Sequence, residues 1–533
     1  MNIRLAHARW LVIGLLVLLV YGGASWVQLD RILAETRDDD RIVLRFAHWQ
    51  LEAGMREAFE NAAQRYMALH PGVRVEPMAI PGNVYTQWLN TQLIGETAPD
   101  IVMFDSRFSA EVQQMTRFFE PLSRWLVQPN PYNRGTPLEN VPWRLTFLDG
   151  LRNRATYNEQ LRDYFAVSLC SHAMLMFYNR DLMTRITGSP EPPATFTDWL
   201  ALGEKIRADH PDLVHVAGAK DYSVWLMALL ANQSVTRWLL QADHGLRYAV
   251  NGTDLYTDLL DGRWDVDTPA LQTALHVIHA VGRQMTPGFL QLDKSTALES
   301  FVRGEAVSLF SGTWDYPSLE ALADFEVGGF MVPVPTATES PYGGHALLPA
   351  VSGTLSTAMP FFVNRQSAHQ AVAIDFLHYL TSMEGNARFA REGRLMPAIL
   401  GVETGPALRR FKPQYEGHVV TTTNDGLSLM YGTGPEYTRL WLSHLHQLFA
   451  PNGGVEPYRR TLRDSLHAAV VADLGIQLKN RFVNLRQRDV VLAALSHLNE
   501  NDRQEARHQY SAQHLMEFHT YRLQLRLNEP AQR

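Results

Sequence analysis

The stretch Tyr164 to Met183, YFAVSLCSHAMLMFYNRDLM, decides how the chain is read. Through Leu169 it is a short extended run, and Ala173 to Tyr178 is a second apolar run. Ser171 and His172 stand between them. Tyr178-Asn179-Arg180-Asp181 is polar enough to end the strand and start a helix at Leu182. Two buried strands parted by a polar break put that break at a surface or in a cleft. The segment is therefore either an ordinary turn or a crossing between two lobes where a ligand would lie.

Its surroundings decide between these. Upstream, Ile42 to Ala47 is a strand ending on His48-Trp49-Gln50, and Met55, Ala58, Phe59, Ala62 and Tyr66 recur at helical spacing until His70-Pro71-Gly72 stops them. Val73, Val75, Pro77 and Ala79 form the second strand, Val84 to Ile94 a helix, and Ala98-Pro99-Asp100-Ile101-Val102-Met103-Phe104-Asp105 a third strand. A β-α-β-α-β order implies a parallel sheet with helices on both faces and ligand sites beyond the carboxyl ends of the strands. Trp49, Gln50, Asp105 and Ser106 fall there. Between Phe118 and Gln160 prolines break any long element, and no function is assigned to that region.

Downstream, Pro192-Pro193-Ala194-Thr195-Phe196-Thr197-Asp198-Trp199-Leu200 leads into a helix through Ile206. His210-Pro211 and the strand Leu213 to Val216 echo His70-Pro71 and Val73 to Val75. Asp221, Tyr222 and Trp225 follow. Trp264 to Asp267 precedes a helix from Pro269 to Met285. Phe301-Val302-Arg303-Gly304-Glu305 then opens a strand ending in Gly312-Thr313-Trp314. Glycine lets the backbone approach a ligand, and an indole offers a flat apolar face to the C–H side of a pyranose.

FYNRDLM with the following proline, threonine and tryptophan, the proline-aspartate strand, and the glycine-x-tryptophan strand end resemble, in order and over roughly Arg41 to Val470, the family 1 extracellular solute-binding proteins. These are the maltose-binding-protein-like receptors of ABC importers. The resemblance implies a periplasmic-binding-protein-like type II α/β fold of two lobes with a hinge. Lobe one is expected at 41–165 and 335–400, and lobe two at 166–334 and 401–473. Val332 to Thr336 and Gly393 to Pro397 resemble further crossings, and Val351-Ser352-Gly353 a glycine-rich loop entering a strand. The ligand-binding residues it implies are Trp49, Gln50, Asp105, Ser106, Ser171, His172, Asp221, Tyr222, Trp225, Gly312, Trp314, Gly353 and Tyr437. Relatives often carry proline in the first crossing strand where this chain has Val167.

Residues 474–533 exceed the usual family length. Leu492, Leu495 and Leu498, then Tyr510, His514, Phe518, Tyr521 and Leu525, recur at three-to-four spacing, so this extension is expected to be helical and to pack on lobe two or dock a membrane partner. At the other end, Arg4 and Arg9 precede an apolar run from Trp10 that continues to Val27, about 27 Å as a helix and close to a bilayer core. Basic residues before the run and the acidic linker 31–40 after it predict a single-pass inner-membrane anchor at 1–30, with the binding fold on the periplasmic side. A signal peptide cleaved near Gly22-Gly23-Ala24 is the alternative. No cysteine lies at or just after the end of the run, which excludes a lipoprotein anchor.

A chain of 533 residues exceeds one core, and a net charge of −7 argues against nucleic acid as a partner. With Cys170 the one cysteine, no internal disulfide forms. HExxH, GxSxG and P-loop motifs are absent, and His276 with His279, or His508, His514 and His519, lack an evident further ligand. No metal, cofactor or covalent chemistry is expected. The reading is a receptor that closes on a sugar or oligosaccharide and presents it to ABC permease subunits. The rivals are a carbohydrate-active enzyme using Asp105 and Asp221, and a membrane-anchored sensory or assembly protein.

Overall fold

The computed structural model describes residues 41–51, 54–104, 112–153, 155–158, 161–242, 244, 252–347, 356–409, 429–430, 434–495 and 500–528. The expected anchor and linker, and with them Asp105, Ser106 and Gly353, lie outside the described residues.

Lobe one is built on β1 (Ile42–His48), β2 (Val73–Ala79) and β3 (Ile101–Met103), with α1 (Met55–Leu69) and α2 (Gly82–Ile94) as crossovers. β1 lies between β2 and β3, parallel to both, as the β-α-β-α-β order requires. The apolar residues at helical spacing, Met55, Ala58, Phe59, Ala62 and Tyr66, are the buried stripe of α1. The proline-rich region adds short turns and a small hairpin, β4 (Tyr157–Asn158) with β5 (Asp163–Tyr164). It packs on lobe one through Trp143, whose indole donates to Thr381 Oγ1 at 2.9 Å.

The decisive stretch forms β6 (Ala166–His172) and β7 (Met174–Asn179), separated only by Ala173. β6 belongs to the larger sheet, ordered β12-β6-β11-β3-β1-β2, in which β11 is Ser356–Val363 and β12 is Met396–Pro397. β6, expected at the start of lobe two, is thus paired into the sheet that holds β1 to β3. Nearly every residue of β6 is buried, so the apolar run carries no preference for either sheet, and pairing with β11 decides. Ser171 is correspondingly within the strand rather than in a polar break.

β7 enters the second sheet, ordered β10-β7-β9-β8, with β8 at Val214–Ala217, β9 at Ala306–Gly312 and β10 at Val327–Phe330. The Asn179 side chain accepts the Leu182 amide at 2.9 Å, ending β7 and capping α3 (Arg180–Thr187). Thr195 caps α4 (Phe196–Asp209) in the same way. The echo between the lobes is geometric as well. The His70 and His210 amides close α1 and α4 onto Tyr66 and Ile206, and each histidine carbonyl then accepts an amide at the following strand, from Val73 and Leu213. Lobe two is completed by α5 (Lys220–Ser234), α6 (Pro269–Gly282) and α7 (Lys294–Val302). Lobe one receives α8 (Gln370–Leu380) and α9 (Met383–Glu392).

After β12 the chain reaches α10 (Pro435–Ser443) and α11 (Val455–Leu495), which supply Tyr437, Trp441, Tyr458 and Leu462 to the second core. α12 (Glu500–Asn528) folds back along α11, so the extension is helical as expected. Its regular stripe of Tyr510, Phe518, Tyr521 and Leu525 faces solvent, whereas Thr520 and Leu523 are buried. Among the described residues, no helix is long and apolar enough to cross a membrane.

Candidate functional site

Strand direction sets where the carboxyl edges of the two sheets lie. β11 is antiparallel to both β3 and β6, so β6 runs with β1 and ends, at His172, on the edge where Trp49 follows β1. In the second sheet, Met174 at the start of β7 is paired with Gly312 at the end of β9, and β8 runs parallel to β9. The carboxyl edges of the two sheets are thus joined through Ala173.

On the lobe-two edge, β9 ends at Gly312 and a single 3-10 turn, Thr313–Asp315, presents Trp314. The indole lies back over Gly312: a Cβ added there would sit 2.3 Å from the ring. Gly312 has an ordinary extended backbone, φ −88°, so it is required here for space rather than for conformation. Trp314 is half-buried, and the His172 ring centre is 5.1 Å from it. Tyr222 lies in the first turn of α5, and burial pushes its phenol up against the opposing pull of Lys294. Lys294 Nζ is 5.5 Å from the centre of the Tyr222 ring and donates to Asp315 Oδ1 at 2.8 Å. Asp315 also accepts the Ser311 hydroxyl. The platform is therefore held from beneath by a buried carboxylate and a cation.

This platform is coupled to the crossing. The Thr313 amide donates to the Ala173 carbonyl at 3.0 Å, and the Ala173 amide donates to Thr313 Oγ1 at 3.3 Å. Ala173, between the two sheets, thus holds the turn that carries Trp314 through two hydrogen bonds.

On the lobe-one edge, Trp49 meets Tyr85 edge-on at 5.0 Å, and Tyr85 continues to Trp88 at 5.6 Å. The Tyr85 hydroxyl donates to the Ala47 carbonyl at 3.1 Å, tying α2 to the end of β1. Gln50 Nε2 lies 3.7 Å from the Met103 sulfur, so it bridges the ends of β1 and β3. Immediately before Trp49, His48 is buried against Phe59, ring centres 4.1 Å apart, and burial lowers its imidazole to about 4.

Of the sequence-predicted residues, Trp49 and Gln50 fall on one edge; His172, Tyr222, Gly312 and Trp314 gather at the other and at the junction. Trp225 is 36% exposed on the same helix as Tyr222, ring centres 6.4 Å apart, and Asp221 is exposed in its first turn. Two expectations are corrected. Ser171 is buried and donates to the Pro397 carbonyl at 2.7 Å, tying two crossing strands together. Tyr437 is 3% exposed, with its hydroxyl donating to the Leu429 carbonyl, and packs in the helical core of lobe two instead of reaching the cleft. Sequence reasoning missed Asp315, although it adjoins Trp314. It also missed Lys294, which lies at a helix start with no local signal and becomes relevant only through the fold. Two hollows of about 260 and 250 Å³, one between Met383 and Pro406 and one along Val84 to Gln92, include no Trp314 or Tyr222.

Residues 52–387 match the family model of the bacterial extracellular solute-binding proteins. The chain belongs to that family. This solute-binding protein is 20% identical over 355 residues, 65% of its length and 69% of the relative's, to an uncharacterized ABC transporter extracellular-binding protein of Pyrococcus horikoshii. Its fold is similar to that of RafE in complex with raffinose, with a TM-score of 0.54, 16% identity, and coverage of 80% of this chain and 100% of that one. RafE is also known in its apo form from Streptococcus pneumoniae. The GacH receptor of Streptomyces glaucescens, described in unliganded form and with acarbose, gives 0.55 at 15% identity over 81% and 98% of the two chains. The maltose/maltodextrin-binding domain MalE from Bdellovibrio bacteriovorus, bound to maltotriose, gives 0.51 at 16% over 79% and 98%.

Proposed function

We propose that this protein is the substrate-binding component of an ABC importer, that it takes a sugar or oligosaccharide between its lobes, and that it hands the solute to membrane permease subunits. The observation that carries the reading is Trp314, half-buried over Gly312 at a carboxyl edge and tied through Thr313 to Ala173. Aromatic rings on both edges suit the apolar faces of pyranoses. Solved proteins of similar fold are described with raffinose, acarbose and maltotriose, which agrees with that chemistry. A ligand touching both edges stabilises the closed arrangement by its differential affinity, and a closed form is what a permease would distinguish.

The lobes in this reading are 41–172 with 335–400, and 173–334 with 401–473; residues 474–533 form an added arm. The apolar run from Trp10 to Val27 serves as a single-pass anchor that leaves the lobes on the periplasmic side of the inner membrane.

The test is mass spectrometry of small molecules retained by the purified chain, followed by calorimetric titration with raffinose, maltotriose and acarbose. Stoichiometric binding without new products supports a receptor. Turnover of a bound glycan, or no binding to any carbohydrate with an unrelated solute retained, overturns the assignment. Alkaline extraction of membranes tests the anchor separately, since an anchored chain stays with the lipid.

A further inference from the structure

The arm made by α11 and α12 has one face already used and one that is not. Inward, α12 buries Gln513, Thr520 and Leu523, and Gln513 Nε2 donates to Asp489 on α11 at 2.5 Å. Outward, Tyr510, Leu515, Phe518, Tyr521 and Leu525 are 50, 39, 56, 61 and 45% exposed. At roughly 100° per residue these five fall within a band about 140° wide, running some 27 Å from Arg507 to Leu525.

The charges on this band share one sign. Arg507 and Arg522 lie within it, both exposed, and the Arg522 guanidinium sits 5.8 Å from the centre of the Phe518 ring. No carboxylate lies in the band. The nearest, Glu517, borders the band about 20° beyond Tyr510 and is engaged by His514 at 3.4 Å and by Gln513 Nε2 at 3.2 Å. α11 repeats the pattern: Ile476 and Val483 are exposed on one stripe with Lys479 and Arg486. The chain as a whole carries −7, so a cationic, acid-free aromatic face stands apart from the rest of the molecule.

We infer that the outer face of α12 docks on an anionic phospholipid surface. The complement of an acid-free band of arginines is anionic, which sets a second copy of the arm against like charge. The band is a convex helix side without a groove, suited to a planar, deformable partner. Tyrosine and phenylalanine beside arginine are the residue types that lie stably between headgroups and acyl chains. The inference rests on the proposed placement of the protein at a membrane. In that setting the arm is a second attachment, holding lobe two near the bilayer.

The experiment uses the full chain with Ser511→Cys, an exposed position in the band, carrying an environment-sensitive dye. Cys170 is buried, so labelling under native conditions goes to the new thiol. The labelled protein is added to vesicles of phosphatidylcholine alone and of phosphatidylcholine with phosphatidylglycerol. The dye moves to an apolar environment only in the anionic vesicles. Arg507→Gln and Arg522→Gln each weaken that docking roughly fivefold, and Phe518→Glu with Tyr521→Glu abolishes it with the circular dichroism unchanged. A dye that stays wet in anionic vesicles overturns the inference whatever the anchor does, because sedimentation of the same sample reads the anchor independently. A dye that dries only when membrane proteins are included assigns the face to a protein partner, which also overturns it.

Discussion

Gly312→Ala tests whether the Trp314 platform is set by the strand beneath it. The added methyl would meet three indole carbons at 2.3 to 2.4 Å, about 1 Å or more inside ordinary contact. With φ at −88° and ψ at 159°, alanine is comfortable in the backbone, so the whole effect is the collision. Two outcomes compete. If the ring were locked, the overpacking would cost about 1–3 kcal/mol of stability. Trp314 is half-buried, however, and a partly solvated indole swings aside at lower cost. It then loses its contact with His172. The expected result is a small change in melting temperature and a loss of sugar stacking worth about 0.5–1.5 kcal/mol, or roughly two- to twelvefold in Kd. Tryptophan fluorescence titration with the best-bound sugar from the raffinose, maltotriose and acarbose panel, run beside thermal denaturation, separates the two. Gly312→Ala should reproduce most of the loss seen in Trp314→Ala. Unchanged affinity with the indole demonstrably displaced would refute the role given to the platform.

Other expectations follow from the same geometry. Lys294→Met leaves Asp315 a nearly buried carboxylate with the Ser311 hydroxyl but no cation, and should lower stability by about 1–2 kcal/mol and weaken sugar binding, while Lys294→Arg restores both; calorimetry of the three proteins checks this. Asp473 is fully buried and accepts the Glu436 and Tyr437 amides at 2.9 Å each, so Asp473→Ala strips the start of α10 and should cost about 2–4 kcal/mol by urea unfolding, with sugar affinity of the folded fraction unchanged. His48, His215 and His378 are each lowered to about 4 by burial. Unfolded imidazoles protonate near 6.5, so between about 4 and 6.5 the unfolded chain binds more protons and stability rises with pH. Stability should therefore be flat above pH 7 and fall on acidification through 6.5, by on the order of 3 kcal/mol for fully buried His215 by pH 4. Replacing His215 with Asn should flatten that slope.

Much of the binding fold was legible in one dimension because its signals are local. Helical spacing in α1, the caps at Asn179 and Thr195, the His-Pro stops and the glycine before Trp314 each act over a few residues. The order of strands and helices implies the parallel unit β2-β1-β3, but not that β11 and β12 pair antiparallel beside it, nor that β7 runs antiparallel to β9 and β10. What the chain could not show is which sheet an apolar strand joins. β6 is buried on both sides, and only its pairing with β11 and β12 assigns it to lobe one, which also draws Ser171 into a bond with Pro397. Tyr437 begins a helix with one face toward the core, and sequence spacing alone does not say that this face holds it away from the cleft. Lys294 reaches Asp315 across 21 residues because α7 packs beside β9, a contact that only the assembled lobe creates. Periodicity likewise marked α12 as helical, but whether Tyr510, Phe518 and Tyr521 point into a core or into water depended on which side α11 came to occupy. Short-range geometry is written in residue spacing; long-range pairing is settled by which surfaces exclude water together.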